Sequence, residues 1–149
     1  GLDVITGLWR GQPFRYDGKH YHIQPTTFFP PPPPVQSPRI PIWVVGAWPH
    51  EKSMRRALQY DGLLPAAVGR QLEPGDVRQM ADYVAANRTA STSFDIVAEG
   101  KTPIGDRSQD ADILGPWVES GATWWIEARW DEPANATLRR LRDGPPRLF

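Results

Sequence analysis

The chain has 149 residues, which is enough for one hydrophobic core, and it contains no cysteine. The lack of cysteine excludes a disulfide framework, a thiolate zinc site and a cysteine nucleophile. The 17 basic and 17 acidic side chains cancel and are scattered, so we expect neither a nucleic-acid nor a membrane partner. No apolar run reaches the roughly 20 residues that span a bilayer, and the expectation is a soluble, cytoplasmic protein.

The first part of the chain predicts the tail of a helix followed by a β-hairpin. Leu2 to Trp9 mix apolar and polar positions and end at Arg10-Gly11, a pattern typical of a helix that stops. Two short runs of β-forming residues then flank Asp17-Gly18. Asp-Gly between such runs is a strong signal for a hairpin turn.

A proline-rich segment, residues 24–41, follows the predicted hairpin. Proline has no backbone N–H to donate to a helix or sheet, so this segment should run extended, partly as polyproline II. Phe28, Phe29 and Val35 offer apolar anchors along it. We therefore favour a strap docked on the protein over a free linker.

The remainder of the chain alternates between apolar runs rich in β-branched residues and amphipathic segments. This alternation predicts an α/β fold with parallel strands joined by helical crossovers. The clearest helix is the segment in which Val77, Met80 and Val84 recur at helical spacing. The predicted strands lie at residues 40–47, 62–65, 94–100 and 122–128. The predicted helices begin at Pro49 and at residues 73, 110 and 135.

Two of these helices contain residues that predict irregular features. Gly115-Pro116 lies inside the third helix and should bend or restart it, because proline cannot donate the helical hydrogen bond. The fourth helix should be capped by Asn135 and stopped at Gly144-Pro145.

The first parallel strand leads into its helix through Gly46, Ala47 and Trp48, and we predict that the strand stops at Gly46. Ligands of parallel α/β folds gather at the carboxyl ends of the strands, where each following helix points unpaired amides outward. Two small residues would let a phosphate approach those amides, so Gly46 to Trp48 form a candidate anion-binding turn. A glycine needed only for packing explains the same pattern equally well.

Four segments of the chain, taken in order, resemble a known protein family: LWRGQPFRYDGKHYHI, PPPVQSPRIPIWVVGAWP, RRALQYDGLLP and ESGATWWIEA. They are similar to the C-terminal half of the bacterial-luciferase-like flavin-dependent monooxygenases, over nearly the whole chain. The resemblance implies a TIM (β/α)8 barrel whose fifth to eighth strands are the four predicted here. It also implies oxidation of a small organic substrate by a reduced flavin, FMN or the deazaflavin F420. Gly46, Ala47 and Trp48 would then help to hold the cofactor phosphate.

A full barrel takes about 250 residues, so the resemblance implies that this chain is a single partial domain. Residues 1–38 would hold the helix tail, the hairpin and the strap, and residues 39–149 a half-barrel. Half a barrel exposes strand edges and an inner face, which favours association. We expect a C-terminal fragment of a longer enzyme, a homo-oligomer, or a complex with a complementary N-terminal half-barrel; closure into a smaller sheet is a further alternative. The alternative function is a non-catalytic association module or a weak flavin-binding protein.

Further side chains near the predicted strand ends are candidates for contacts with a substrate or an anion. These candidates are His50, Lys101, Thr102 and Arg129. The structural alternatives are a surface helix position for the histidine and a solvated loop for the lysine and threonine. Pairing of Arg129 with Glu127 or Asp131 is equally plausible. No catalytic residue can be named from the sequence.

His20 and His22 lie two residues apart in the predicted hairpin, a spacing that metal ligands can use. No carboxylate or third histidine accompanies them. A structural role is therefore the stronger interpretation, and we predict no metal site.

Overall fold

The computed structural model describes residues 1–27, 35–104 and 108–148. Its contacts divide the chain into two compact units, Gly1–Ile40 and Pro41–Phe149. Most of the predicted proline-rich strap, including Phe28 and Phe29, lies outside the described residues. Val35 is described and is fully exposed, so it does not serve as the apolar anchor that we predicted.

The first unit consists of a helix and an antiparallel hairpin, as the sequence predicts. Its elements are α1 (Leu2–Trp9), β1 (Phe14–Asp17) and β2 (His22–Thr26). Asp17 pairs with His22 across the hairpin, which places Gly18 in the connecting loop. The Asp-Gly signal is therefore confirmed as the site of the chain reversal.

The second unit contains a sheet of four parallel strands that alternate with four helices, in the spatial order β3-β4-β5-β6. The strands are β3 (Trp43–Trp48), β4 (Gly62–Ala67), β5 (Asp95–Gly100) and β6 (Trp124–Glu127). The helices are α2 (Glu51–Ala57), α3 (Pro74–Asn87), α4 (Asp110–Glu119) and α5 (Ala134–Asp143). Each strand pairs with the next along the chain, which is the connectivity of a barrel wall and confirms the predicted fold class. In the described ranges, no helix has the length and apolar character needed to cross a bilayer.

The hydrophobic core lies between the sheet and its helices. Val44, Leu63 and Ile96 are neighbours across three strands and are all buried. Met54 of α2 and Met80 of α3 have no exposed surface. Burying side chains of this size stabilises the fold by roughly 1.5–3 kcal/mol each, which is why the predicted apolar stripes face the sheet.

The opposite face of the sheet is curved and is closed by aromatic side chains near the amino-terminal ends of the strands. The rings of Trp43 on β3 and Trp124 on β6 lie 5.6 Å apart, although two strands separate them in the sheet. Trp43 Nε1 also donates a hydrogen bond to Asp95 Oδ2 at 3.1 Å. A Cβ on Gly62 would lie 2.7 Å from Trp43 Cδ1, so only glycine leaves room for this ring. The sheet is therefore curved like part of a barrel wall.

Two strands extend further at their carboxyl ends than the sequence predicted. β3 does not stop at Gly46 but continues to Trp48, and β4 continues to Ala67. The extra residues pair with one another across the two strands, Ala47 with Ala66 and Trp48 with Ala67. Inter-strand pairing therefore keeps the chain extended beyond the glycine, an effect that a reading of one strand at a time does not capture.

The structure describes both helices for which the sequence predicted irregular features. α4 is a single helix with Pro116 inside it, and Ser120 N donates to Pro116 O at 3.1 Å, so helical bonding continues past the proline. α5 begins at Ala134 with Pro133 as the preceding residue, so the prediction that Asn135 caps it is wrong. Pro133 has φ −67° and ψ 150°, an extended conformation, so helical geometry begins at the following residue. The predicted stop at Gly144 is confirmed.

Candidate functional site

The four parallel strands bring their carboxyl ends to one rim of the sheet, where ligands of such folds bind. The predicted site residues fall into two groups on this rim. Gly46, Ala47 and Trp48 form the end of β3, at one side of the sheet. The residues that follow β5 and β6 lie together at the other side.

Gly46 is buried within β3 and faces the helical layer. A Cβ at this position would lie 3.0 Å from Met54 Sδ and 3.5 Å from Leu63 Cδ1. The glycine is thus required for close packing of α2 against the sheet, which is the structural alternative that the sequence left open. Its role in holding a cofactor stays a prediction.

The backbone at the outer side of β3 is hydrogen-bonded by side chains of α2. Ala47 N donates to Ser53 Oγ at 3.1 Å, and Ser53 Oγ donates to Val45 O at 3.2 Å. Arg56 Nη2 donates to the same carbonyl at 3.4 Å. Since β3 is an end strand of the four-stranded sheet, Ser53 and Arg56 satisfy groups that would otherwise pair with another strand.

Trp48 and His50 occupy different environments beside this strand end. Trp48 Nε1 donates to Gln79 Oε1 of α3 at 3.2 Å, and its ring meets that of Tyr83 edge-on at 6.0 Å. His50 precedes α2, is exposed, and accepts a hydrogen bond from Met54 N at its carbonyl. Trp48 therefore ties the strand end to α3, while the imidazole of His50 faces solvent.

The ends of β5 and β6 are joined by a network of hydrogen bonds centred on Glu127. Its Oε1 accepts from Thr102 N at 2.9 Å and from Arg129 Nε at 3.0 Å. Its Oε2 accepts from the Thr102 hydroxyl at 3.0 Å and from Trp125 Nε1 at 3.2 Å. Arg140 of α5 lies 3.4 Å from Oε1 and donates to the Thr102 hydroxyl at 2.9 Å. Thr102 is therefore a buried part of this network and not a solvated loop residue.

The cationic candidates Lys101 and Arg129 are both paired with carboxylates. Arg129, whose side chain is 7 % exposed, contacts Glu127 and also donates to both oxygens of Glu132, at 2.8 and 2.7 Å. Lys101 Nζ lies 2.5 Å from Asp131 Oδ1 and 3.5 Å from Glu132 Oε1. The sequence allowed a pair with Glu127 or Asp131 for the arginine, and the structure shows Glu127 and Glu132. The positive charges that suggested an anion site are thus compensated within the protein.

These pairings shift the pKa values of the groups that take part. Burial alone would raise the pKa of Glu127, but hydrogen bonds from Thr102 and Trp125 and the charge of Arg140 lower it overall. Burial alone would lower the pKa of Arg129, but its hydrogen bonds to Glu132 and Glu127 raise it. The network therefore stays ionised at neutral pH.

A cleft of about 630 Å³ opens at the rim between the ends of β4 and β5 and the start of α4. This volume lies within the range of small-molecule sites, about 300–1,000 Å³. Its apolar wall includes Pro65, Leu72, Ile113, Trp117 and Trp125. Its polar side chains are those of Gln71, Glu99 and Lys101. The sequence singled out Lys101 but gave no signal for the cleft, because its wall comes from four separate elements.

The two histidines of the hairpin lie in different elements. His22 is in β2, where its Nδ1 contacts Asp17 Oδ1, whereas His20 lies in the loop before that strand. In the described parts of the chain, no group of three His, Cys, Asp or Glu side chains is arranged to hold a metal ion.

None of the curated protein sequences matches the chain. A model of the luciferase-like monooxygenases, however, matches residues 2–140, which includes the hairpin and all four parallel strands. The chain therefore belongs to the luciferase-like monooxygenase family, whose members typically use a flavin or F420.

Proposed function

We propose that this chain is half of the barrel of a flavin- or F420-dependent monooxygenase that oxidises a small organic substrate in the cytoplasm. The observation that carries the proposal is the family match across residues 2–140. The rim cleft lies beside the same strand ends, on the side of the sheet where Trp125 packs against Trp117 of α4. The bound cofactor would supply the redox chemistry, and the protein would bind, orient and shelter the reactants.

The end of β3 remains the proposed contact for the cofactor phosphate, through Gly46, Ala47 and Trp48. The fit depends on the Ala47 amide, which already donates to an oxygen, Ser53 Oγ, at 3.1 Å. A phosphate oxygen that accepted this N–H would take the place of the hydroxyl. The exposed His50 beside it is the proposed second contact. Because Lys101, Thr102 and Arg129 are engaged in the Glu127 network, we assign them the role of fixing the loops around the ligand.

We further propose that more strands complete the barrel, from a longer chain, a complementary half-barrel or a second copy of this chain. β3 and β6 each have one neighbouring strand in the described sheet. Two apolar side chains on the inner face are about half exposed, Val45 at 48 % and Trp124 at 55 %. Additional strands would cover both.

The test is titration with FMN and with F420, followed by fluorescence, on a sample whose assembly mass is measured by light scattering. We expect a defined assembly that binds at least one of the two cofactors and, when the cofactor is reduced, consumes oxygen or oxidises a substrate. Ser53→Ala should alter the cofactor affinity, whereas Arg55→Ala, an exposed change on the same helix, should not. A defined assembly with no affinity for either cofactor would overturn the proposal.

The same exposed inner face favours a second candidate function, a non-catalytic association module. It predicts a stable assembly whose mass does not depend on cofactor and which lacks cofactor binding. The titration and the mass measurement therefore separate the two functions.

A further inference from the structure

We propose that the rim cleft between β4, β5 and α4 binds a flat aromatic molecule that carries a positively charged amine. This inference goes beyond the proposed function, because the cleft lies between the sheet and α4 and not on the inner face of the sheet. It is argued from the cleft alone and does not depend on which cofactor binds.

The shape of the cleft suits an aromatic ring. The Trp117 and Trp125 rings lie 5.9 Å apart and inclined by 58°, and together they form one side of it. Both are half-buried, so part of each indole is available for contact. Ile113 and Leu72, also half-buried, extend the apolar wall. Stacking or edge contacts with the indoles would add specific attraction to the burial of a flat ring.

The wall depends on a glycine at the end of β5. A Cβ on Gly100 would lie 2.5 Å from Trp125 Cη2 and 2.9 Å from Cζ2. The glycine thus allows the Trp125 ring to lie against the end of the strand. Glycine at this position therefore preserves the shape of the cleft.

The charge of the cleft selects for a cation. Lys101 lines it, but its ammonium group is paired with Asp131 and Glu132. Glu99 is exposed, and it is the charged lining residue for which the described structure shows no ion pair. A carboxylate at the mouth of an apolar, aromatic cleft attracts an amine and repels an acid. The structure therefore reverses the expectation of an anion site at this part of the rim.

Three probes of one shape and different charge test the inference: naphthylmethylamine, naphthylmethanol and naphthylacetate. Their affinities for the cofactor-free protein are measured by calorimetry at neutral pH and low salt. We expect the amine to bind on the order of tenfold more tightly than the acetate, with the alcohol between them, and the difference to shrink in high salt. Equal affinities for amine and acetate, or no binding of any probe, would overturn the proposal.

Glu99→Gln removes the charge and keeps the size, so it should abolish the preference for the amine and leave the affinity for the alcohol unchanged. Glu119→Gln is the matched control, because it removes an exposed carboxylate of α4 that does not line the cleft. If Glu99→Gln retains the preference, the assignment to Glu99 is wrong. Trp117→Leu should weaken all three probes by a similar factor, provided that circular dichroism shows a folded variant.

The cofactor titration on the same protein keeps this proposal separate from the proposed function. Amine-selective binding without affinity for FMN or F420 would support the cleft and overturn the enzyme. Cofactor binding without any amine preference would support the proposed enzyme and overturn the proposal for the cleft.

Discussion

The two sides of the rim are stabilised by different kinds of interaction. At the end of β3, strand and helix are joined by close apolar packing, with Gly46 against Met54 and one hydroxyl, that of Ser53, on the backbone. At the ends of β5 and β6, the loops are joined by charges that surround Glu127. The first corner depends on shape and on hydrogen bonds from Ser53 and Arg56 to the backbone, while the second depends on ion pairs.

The difference shows why charge alone is a poor guide to an anion site. Lys101 and Arg129 were candidates for anion contacts, and for Arg129 a pair with Glu127 or Asp131 was the alternative. Their partners neutralise both of them. The end of β3, in contrast, has a backbone amide bound to a replaceable hydroxyl. Mutations at the two corners should separate the contributions of packing, hydrogen bonding and charge to stability.

The largest effect is expected for Arg129→Met. It removes the buried cation that bridges Glu127 and Glu132 and leaves them, as cationic partners, only the longer contacts to Arg140 and Lys101. Breaking a buried pair is strongly destabilising. We expect the free energy of unfolding in urea to fall by about 3 kcal/mol. The control is Arg55→Met, whose partner Glu51 is as exposed as the arginine itself, at 66 % and 65 %. That change should cost less than about 0.5 kcal/mol. Equal losses in the two variants would show that the network does not stabilise the fold.

Gly46→Val tests the packing explanation for the first corner. The added carbons would meet Met54 and Leu63, and overpacking of this kind costs about 1–3 kcal/mol. Gly75→Ala is the matched control, since a Cβ there meets nothing within 4 Å and lies in a helix. It should be neutral or stabilise by up to about 1 kcal/mol. A Gly46→Val protein of unchanged stability that binds cofactor weakly would instead favour a direct role of the glycine at the phosphate.

Ser53→Ala should have a smaller effect, a loss of about 1 kcal/mol in unfolding free energy. It removes the acceptor of the Ala47 amide and the donor to the Val45 carbonyl. Amide hydrogen exchange at Ala47 should become faster, because this N–H then has no partner from α2. Ser53→Thr keeps the hydroxyl and should preserve the protection. If Ala47 exchanges equally slowly in both variants, Ser53 does not protect it.

Acid should weaken the contacts around Glu127 before it weakens those at the end of β3. The pKa of Glu127 is lowered from 4.5, so its contribution to stability is complete above that pH and is lost as pH falls through the lowered pKa. The Thr102 amide donates to this carboxylate, whereas the Ala47 amide donates to a hydroxyl. Below about pH 4.5, corrected exchange protection of Thr102 should therefore decrease relative to that of Ala47. Parallel behaviour of the two amides would contradict this distinction.

Local patterns in the sequence predicted most of the fold. Asp17-Gly18 marked the hairpin, the spacing of Val77, Met80 and Val84 marked α3, and alternation of strands and helices marked the parallel sheet. Such patterns are reliable because each depends on residues within one turn or a few positions of each other. The errors occurred at element ends, as at Gly46 and Asn135, where neighbouring strands or a preceding proline decide the boundary.

The sequence by itself thus determined the order and type of the elements. Only the tertiary structure decided which side chains meet at the rim of the sheet. Thr102 contacts Glu127 from 25 positions away and Arg140 from 38. No local periodicity encodes such contacts, because they depend on how strands and helices pack around a curved sheet. The same packing leaves Glu99 at the mouth of an aromatic cleft and compensates the charge of Lys101 beside it.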